Sequence, residues 1–165
     1  MAALVETHYV QGVLWILTAG LTGWIGYKFR EISSDRVYIR DQMLGIVDDI
    51  EEIRVISSKY WSRKVSVDER NHEDIAQEAE LVARNHAVNV SIDALKKSFD
   101  ARSYTKVSEL VTKIRGESTG GAFEVGDQPR NSDVNRIKTV HRSCYEMIAE
   151  LRKCARAPKG VWWKS

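Results

Sequence analysis

The chain has little of what usually announces a chemistry. It holds two cysteines, Cys144 and Cys154. Both fall on one predicted helix, where they cannot meet, and neither belongs to a CxxC or zinc pattern. They read as buried or idle thiols of a reducing compartment. There is no HExxH, no paired-cysteine zinc site, no dinucleotide fingerprint and no GxxxxGK[ST] loop. No GxSxG nucleophile elbow is expected either, and no stretch alternates apolar and polar residues as a half-buried strand does. Conventional hydrolase and oxidoreductase readings therefore have nothing to stand on, and no metal or cofactor is expected. Charge of one sign is also lacking: 25 basic against 23 acidic side chains leave a net +2, which is no polyanion-binding signature.

What is present begins with one uncharged run, Val10 to Tyr27, followed at once by Lys28-Phe29-Arg30. A spanning helix needs about 20 mostly apolar residues, a length reached by adding Tyr9 and Phe29. Tyr9 and Tyr27 bracket the run, as aromatic residues do at membrane interfaces. Glu6 and His8 precede it, while Lys28, Arg30, Arg36 and Arg40 follow. The pattern predicts a transmembrane segment within 1–30, in a bacterial inner membrane, with the N-terminus outside and the remainder cytoplasmic. Gly12, Ala19, Gly23 and Gly26 share one helix face, and small residues on one face let helices approach closely. These four are the expected contact for self-association, of which a pore is one form, with Thr18 and Thr22 able to hydrogen-bond across the interface.

The remaining residues predict a cytosolic four-helix bundle over 31–157, with two long helices, so the fold class is all-α. The first helix covers 33–64, capped by Ser33 or Ser34. Its seam of Ile39, Met43, Ile46, Ile50, Ile53, Ser57 and Tyr60 alternates steps of four and three. The acidic cluster Asp48, Asp49, Glu51 and Glu52 beside it reads as a solvated face. The second helix covers 66–100, with Ser66 and Glu69 as a capping box. A broad apolar face combines Ile75, Ala79, Val82, Ala83, Val90 and Ala94 with Leu81, Val88, Ile92, Leu95 and Phe99. His86 lies on this stripe and reads as a core histidine. His72 stands fourteen residues before it, about 21 Å along the axis, too far for a shared metal. A shorter helix, 105–115, turns Val107, Leu110, Val111 and Ile114 inward. The last helix starts from Ser132 or Asp133 and runs to about Ala155. It buries Ile137, Val140, Cys144, Met147, Ile148 and Leu151. Residues 158–165 form a tail whose Trp162 and Trp163, with Lys159 and Lys164, suit an interfacial anchor.

Two places could carry chemistry. The loop from Gly116 to Asn131 holds four of the ten glycines. Gly120 and Gly121 could turn backbone N–H groups toward an anion, with Arg130, Arg136 and Lys138 adding charge at the head of the last helix. Gly120, Gly121, Arg130 and Lys138 are thus candidate ligand-binding residues, for example for a phosphate. The second place is Arg136-Ile-Lys-Thr-Val-His141 on the last helix.

An Arg and a His at this spacing in an all-α bundle resemble the HEPN ribonuclease motif. The resemblance implies Arg136 and His141 as catalytic residues, the Arg steadying a phosphate and the His assisting 2′-hydroxyl transfer in a cleft shared by two protomers. The layout of one N-terminal span and a helical bundle also resembles small membrane proteins of bacterial antiviral systems. These include the HEPN-like membrane pore of type VI CRISPR loci and the type III CRISPR membrane effector triggered by a cyclic oligoadenylate. Tyr60-Trp61 and the loop Thr119 to Glu124 are similar to a pattern in uncharacterised membrane-anchored bacterial proteins. The implied function is an oligomeric membrane effector of antiphage defence that senses a ligand or partner and alters membrane integrity. Its implied partners are the membrane, a second copy, a nucleotide second messenger or RNA, and a defence-system protein. The alternatives are a membrane-tethered HEPN-like ribonuclease and a non-catalytic accessory subunit that docks a partner.

Overall fold

The computed structural model describes residues 2–66, 71–120, 123 and 129–156, with side chains from residue 14 onward. Four α-helices follow one another: α1 (Ala2–Ser62), α2 (His72–Ala94), α3 (Ala101–Thr119) and α4 (Val134–Arg156), with a single 3-10 turn at Lys96–Ser98 after α2. The all-α expectation holds at this level. The chain divides into two compact units, residues 1–38 and 39–165.

The expected spanning helix is not found. Among the described residues, no helix is long and apolar enough to cross a membrane. The physical reason lies in the run itself. Gln11, Thr18, Thr22 and the glycines at 12, 20, 23 and 26 dilute its leucines and isoleucines, and Lys28 closes it early. The two helices expected on either side of Ser33 are also one helix. Both Ser33 and Ser34 lie inside α1, because no proline or glycine between Tyr27 and Ile39 stops it and serine is only mildly unfavourable in a helix interior.

The other boundaries shift for identifiable reasons. Helix α2 begins at His72 rather than 66. Its cap is Asn71, whose side chain accepts from the Asp74 N–H while the Asp74 carboxylate accepts from the Asn71 N–H. That capping box displaces the expected Ser66 and Glu69, of which Glu69 lies outside the described residues. Asp100 caps α3 by accepting from the N–H groups of Arg102 and Ser103, so α3 starts four residues earlier than its apolar pattern. At α4, Asp133 accepts from the Arg136 N–H at 2.8 Å, as its position before the helix predicts.

The core of unit 39–165 is the set of seams read from periodicity. Met43, Ile46, Ile50, Ile53, Ser57 and Tyr60 of α1 are buried, as are Val107, Leu110, Val111 and Ile114 of α3. Helix α4 contributes Val140, Cys144, Met147, Ile148 and Leu151, and α3 packs against both α2 and α4. The broad face of α2 splits in two. Leu81, Val88 and Ile92 are buried, whereas Ile75, Val82 and Val90 remain 50%, 45% and 51% exposed. His86 is exposed with them, not a core histidine. Cys144 and Cys154 are free and buried. Burial pushes the Cys144 thiol up to about 12.

Candidate functional site

Polar and aromatic groups converge where α1 ends. Tyr60 and Trp61 occupy its last turn, fully or almost fully buried, with their rings edge to face at 4.9 Å. A buried hydroxyl must find a partner, and the Tyr60 O–H donates to Glu78 Oε1 of α2 at 2.6 Å. Burial first, and then this carboxylate, push the phenol up to about 12.

Beyond α1, among the described residues, the chain pairs with the segment before α4 at Val65. Val65 and Arg130 exchange both backbone hydrogen bonds at 2.9 Å, an isolated antiparallel bridge. The bridge delivers the Arg130 side chain into the core. Its guanidinium lies 3.7 Å from the Tyr60 ring centroid and donates to Asp74 Oδ1 at 2.7 Å. Asp74 is wholly buried and Arg130 is 5% exposed. Burial alone would raise the Asp74 carboxyl. The Arg130 hydrogen bond, the Asn71 N–H and the nearby Arg63 charge outweigh it and hold Asp74 below the usual carboxylate range.

Trp61 organises the opposite side. Its indole N–H donates to the Ser118 carbonyl at 3.0 Å, and its own carbonyl accepts from the Asp133 N–H at 2.9 Å. The Arg136 guanidinium stacks over the indole at 4.2 Å, donates to the Gly120 carbonyl, and approaches Asp133 at 3.4 Å. A Cβ added to Gly120 would overlap the Gly116 carbonyl oxygen, so this position requires glycine for lack of room. Phe123 is buried and packs on Tyr60 at 5.4 Å. One node thus ties the end of α1 to the starts of α2 and α4 and the end of α3.

The sequence candidates distribute around this node. Arg136 and His141 are both engaged within the chain, but at different places. His141 Nε2 is 2.6 Å from Ser58 Oγ. Ser58 donates its proton to the Arg54 carbonyl at 2.7 Å, so the imidazole is the donor in the Ser58–His141 bond. The ring also meets Tyr145 edge to face at 6.3 Å. Of the expected anion ligands, Arg130 points into the core and Lys138 stays exposed on α4. Gly120 closes α3 with its carbonyl held by Arg136, and Gly121 lies outside the described residues. These four do not form one exposed cradle among the described residues. Gly23 and Gly26 have nothing within 4 Å of an added Cβ, Ala19 is exposed, and Gly12 lies within α1.

Gly116-Glu117-Ser118-Thr119-Gly120 does spell the GxSxG spacing. Ser118 sits in the last turn of α3, fully buried. Its hydroxyl donates to the Arg115 carbonyl and accepts from Asn85 Nδ2 at 3.1 Å. Without a strand entering it, this serine is not raised on a strained turn and acts as a packing bond. The residue missed by sequence reasoning is Asp74, the buried partner of Arg130. Its only signal was an acidic residue three places after Asn71, the spacing of the true capping box.

Burial, and then the Arg54 charge, lower the His141 pKa, with Glu51 opposing. The folded chain thus binds a proton at this site less readily than the unfolded chain. Stability should be full above the unfolded value of about 6.5 and should fall as pH drops through that value toward the lower folded one. Urea melts at pH 7.5 and pH 5 should show this loss, and His141→Gln should flatten it. An equal loss in both proteins would contradict the assignment.

A search of family models, curated proteins and solved structures finds no match to this chain.

Proposed function

We propose that the protein is an assembly module, which associates with a second copy through the N-terminal part of α1. The observation that supports this is exposure. Trp15, Ile16, Leu17, Leu21, Trp24, Tyr27 and Phe29 are each between 61% and 76% exposed. A helix apolar around its circumference is stable only when something covers it, and exposed apolar patches of this extent mark interaction surfaces. Each large apolar side chain buried contributes about 1.5–3 kcal/mol, and several together exceed an association cost of about 4–15 kcal/mol. The open face at Gly23 and Gly26 leaves room for a close helix approach. Thr18 does not need a partner hydroxyl, since it donates to the Leu14 carbonyl at 2.7 Å. Assembly through this arm requires no nucleotide, RNA or defence-system partner.

The test is the mass of the full chain by light scattering, beside Trp15→Glu/Trp24→Glu and Gly23→Leu. The expected result is a defined oligomer that the double variant reduces and Gly23→Leu weakens. Equal masses for all three proteins, or flotation of the native chain with lipid vesicles in place of a defined oligomer, would overturn the proposal.

A further inference from the structure

The geometry points to a binding surface for duplex DNA on the outward face of α4, which holds the phosphate backbone without reading sequence. The net charge of +2 conceals how the charges are sorted. Helix α2 holds five acidic side chains against one arginine, whereas α4 holds six basic side chains against two glutamates. The acids of α1 and α2 are largely engaged inside the fold: Asp49, Glu52 and Glu80 share Arg84, Glu51 holds Arg54, and Asp74 holds Arg130. Most cations of α4 have no such partner. Lys138, Arg142, Tyr145, Ala149, Arg152 and Arg156 recur at steps of four and three, so they form one stripe. All six are exposed, and the stripe lies opposite the buried seam of Val140, Cys144, Met147 and Leu151. It runs about 27 Å and carries four cations and no acid.

Among the described residues none of these four cations pairs with a carboxylate, while the neighbouring Lys153 is held by Glu150. Glu146 stands one turn before Glu150, on the flank toward α3, where Ser103 and Lys106 meet Glu150. Lys138 with Arg142, and Arg152 with Arg156, are like charges one turn apart, which repel. A polyanion laid along the stripe removes that repulsion. The chemistry of the stripe then selects the polyanion. Three of its four cations are arginines, whose planar fork takes phosphate oxygens in pairs. A lipid surface needs apolar side chains to enter it, and here there are only Tyr145 and Ala149. A single strand is held by stacking its bases on open aromatic faces, but Arg54 lies over the Tyr145 ring at 5.4 Å and His141 meets that ring edge to face. A duplex needs no stacking. The B-form major groove, about 12 Å wide, admits a helix, whereas that of duplex RNA is deep and narrow.

The test is fluorescence anisotropy of a short labelled DNA duplex of mixed sequence, titrated with the full chain. Binding should weaken steeply between about 50 and 200 mM salt. Arg142→Glu with Arg152→Glu should raise the low-salt Kd by at least about tenfold and reduce the salt slope by about two. Helix content and thermal midpoint should stay the same, because both side chains are exposed. Arg40→Glu with Lys97→Glu makes the same change in net charge at exposed positions off α4, and should bind nearly as the native chain does. No binding at low salt, or an equal loss in both double variants, would overturn the inference. So would tighter binding of the matching single strand or RNA duplex, or capture by anionic vesicles and not by DNA. The surface does not rest on the arm, and a monomeric chain passes or fails this test on its own.

Discussion

Arg130→Leu is expected to destabilise the protein by about 3–5 kcal/mol, the range seen when one partner of a buried ion pair is removed. The substitution leaves the Asp74 carboxylate, which is 0% exposed, with only the Asn71 N–H and the more distant Arg63 charge, and takes the cation from the Tyr60 ring. The loss exceeds the worth of the pair itself because the remaining charge has no solvent. Asp74→Leu in the same chain should recover part of it, since no buried charge is then left unpaired, less the loss of the Asn71 N–H bond of the α2 capping box. Thermal melts of the native protein, the single variant and the double variant decide the matter. If Arg130→Leu melts within a degree of the native protein, the pair is not buried in solution. Acid should mimic the single variant more weakly. Asp74 is held low in the folded state, so its contribution is present above the ordinary carboxylate pKa and lost as pH falls through the lower folded one.

Trp61→Ala is the second large effect, about 3–5 kcal/mol for truncating a buried aromatic. Trp61 is 3% exposed and carries three distinct contacts: the Tyr60 ring, the Ser118 carbonyl and the Arg136 guanidinium. Trp61→Phe isolates one of them. It keeps a ring for Arg136 and Tyr60 but leaves the Ser118 carbonyl unbonded, at a cost of about 1–3 kcal/mol. A thermal midpoint unchanged by Trp61→Phe would mean that water serves that carbonyl as well as the indole does.

The inward seams of α1, α3 and α4 were legible because 3.6-residue periodicity is a strong signal and aliphatic residues make up most of them. On α1 the steps from Met43 to Tyr60 give the core directly. The node at Tyr60 and Trp61 was less legible. Its partners come from four separate segments, and nothing local in Asp74 or Arg130 says that a carboxylate and a guanidinium will be buried together. Arg136 and His141, five residues apart on α4, both meet the end of α1, Arg136 at Trp61 and His141 at Ser58, and the sequence names neither partner. The wide face of α2 was read as one surface because hydropathy does not say which half of a face meets the core. Leu81, Val88 and Ile92 meet it, whereas Ile75, Val82 and Val90 stay about half exposed.

The two thiols offer a use that their burial dictates. Alkylating reagents attack the thiolate, and in the folded chain burial both hides Cys144 and pushes its thiol up to about 12. Cys154, ten residues along the same helix, is buried as well and shifted the same way. Modification must therefore wait until α4 leaves its neighbours. The native sequence carries its own stopwatch: the rate at which its two cysteines take up label, with no engineered probe, times how often this helix lets go.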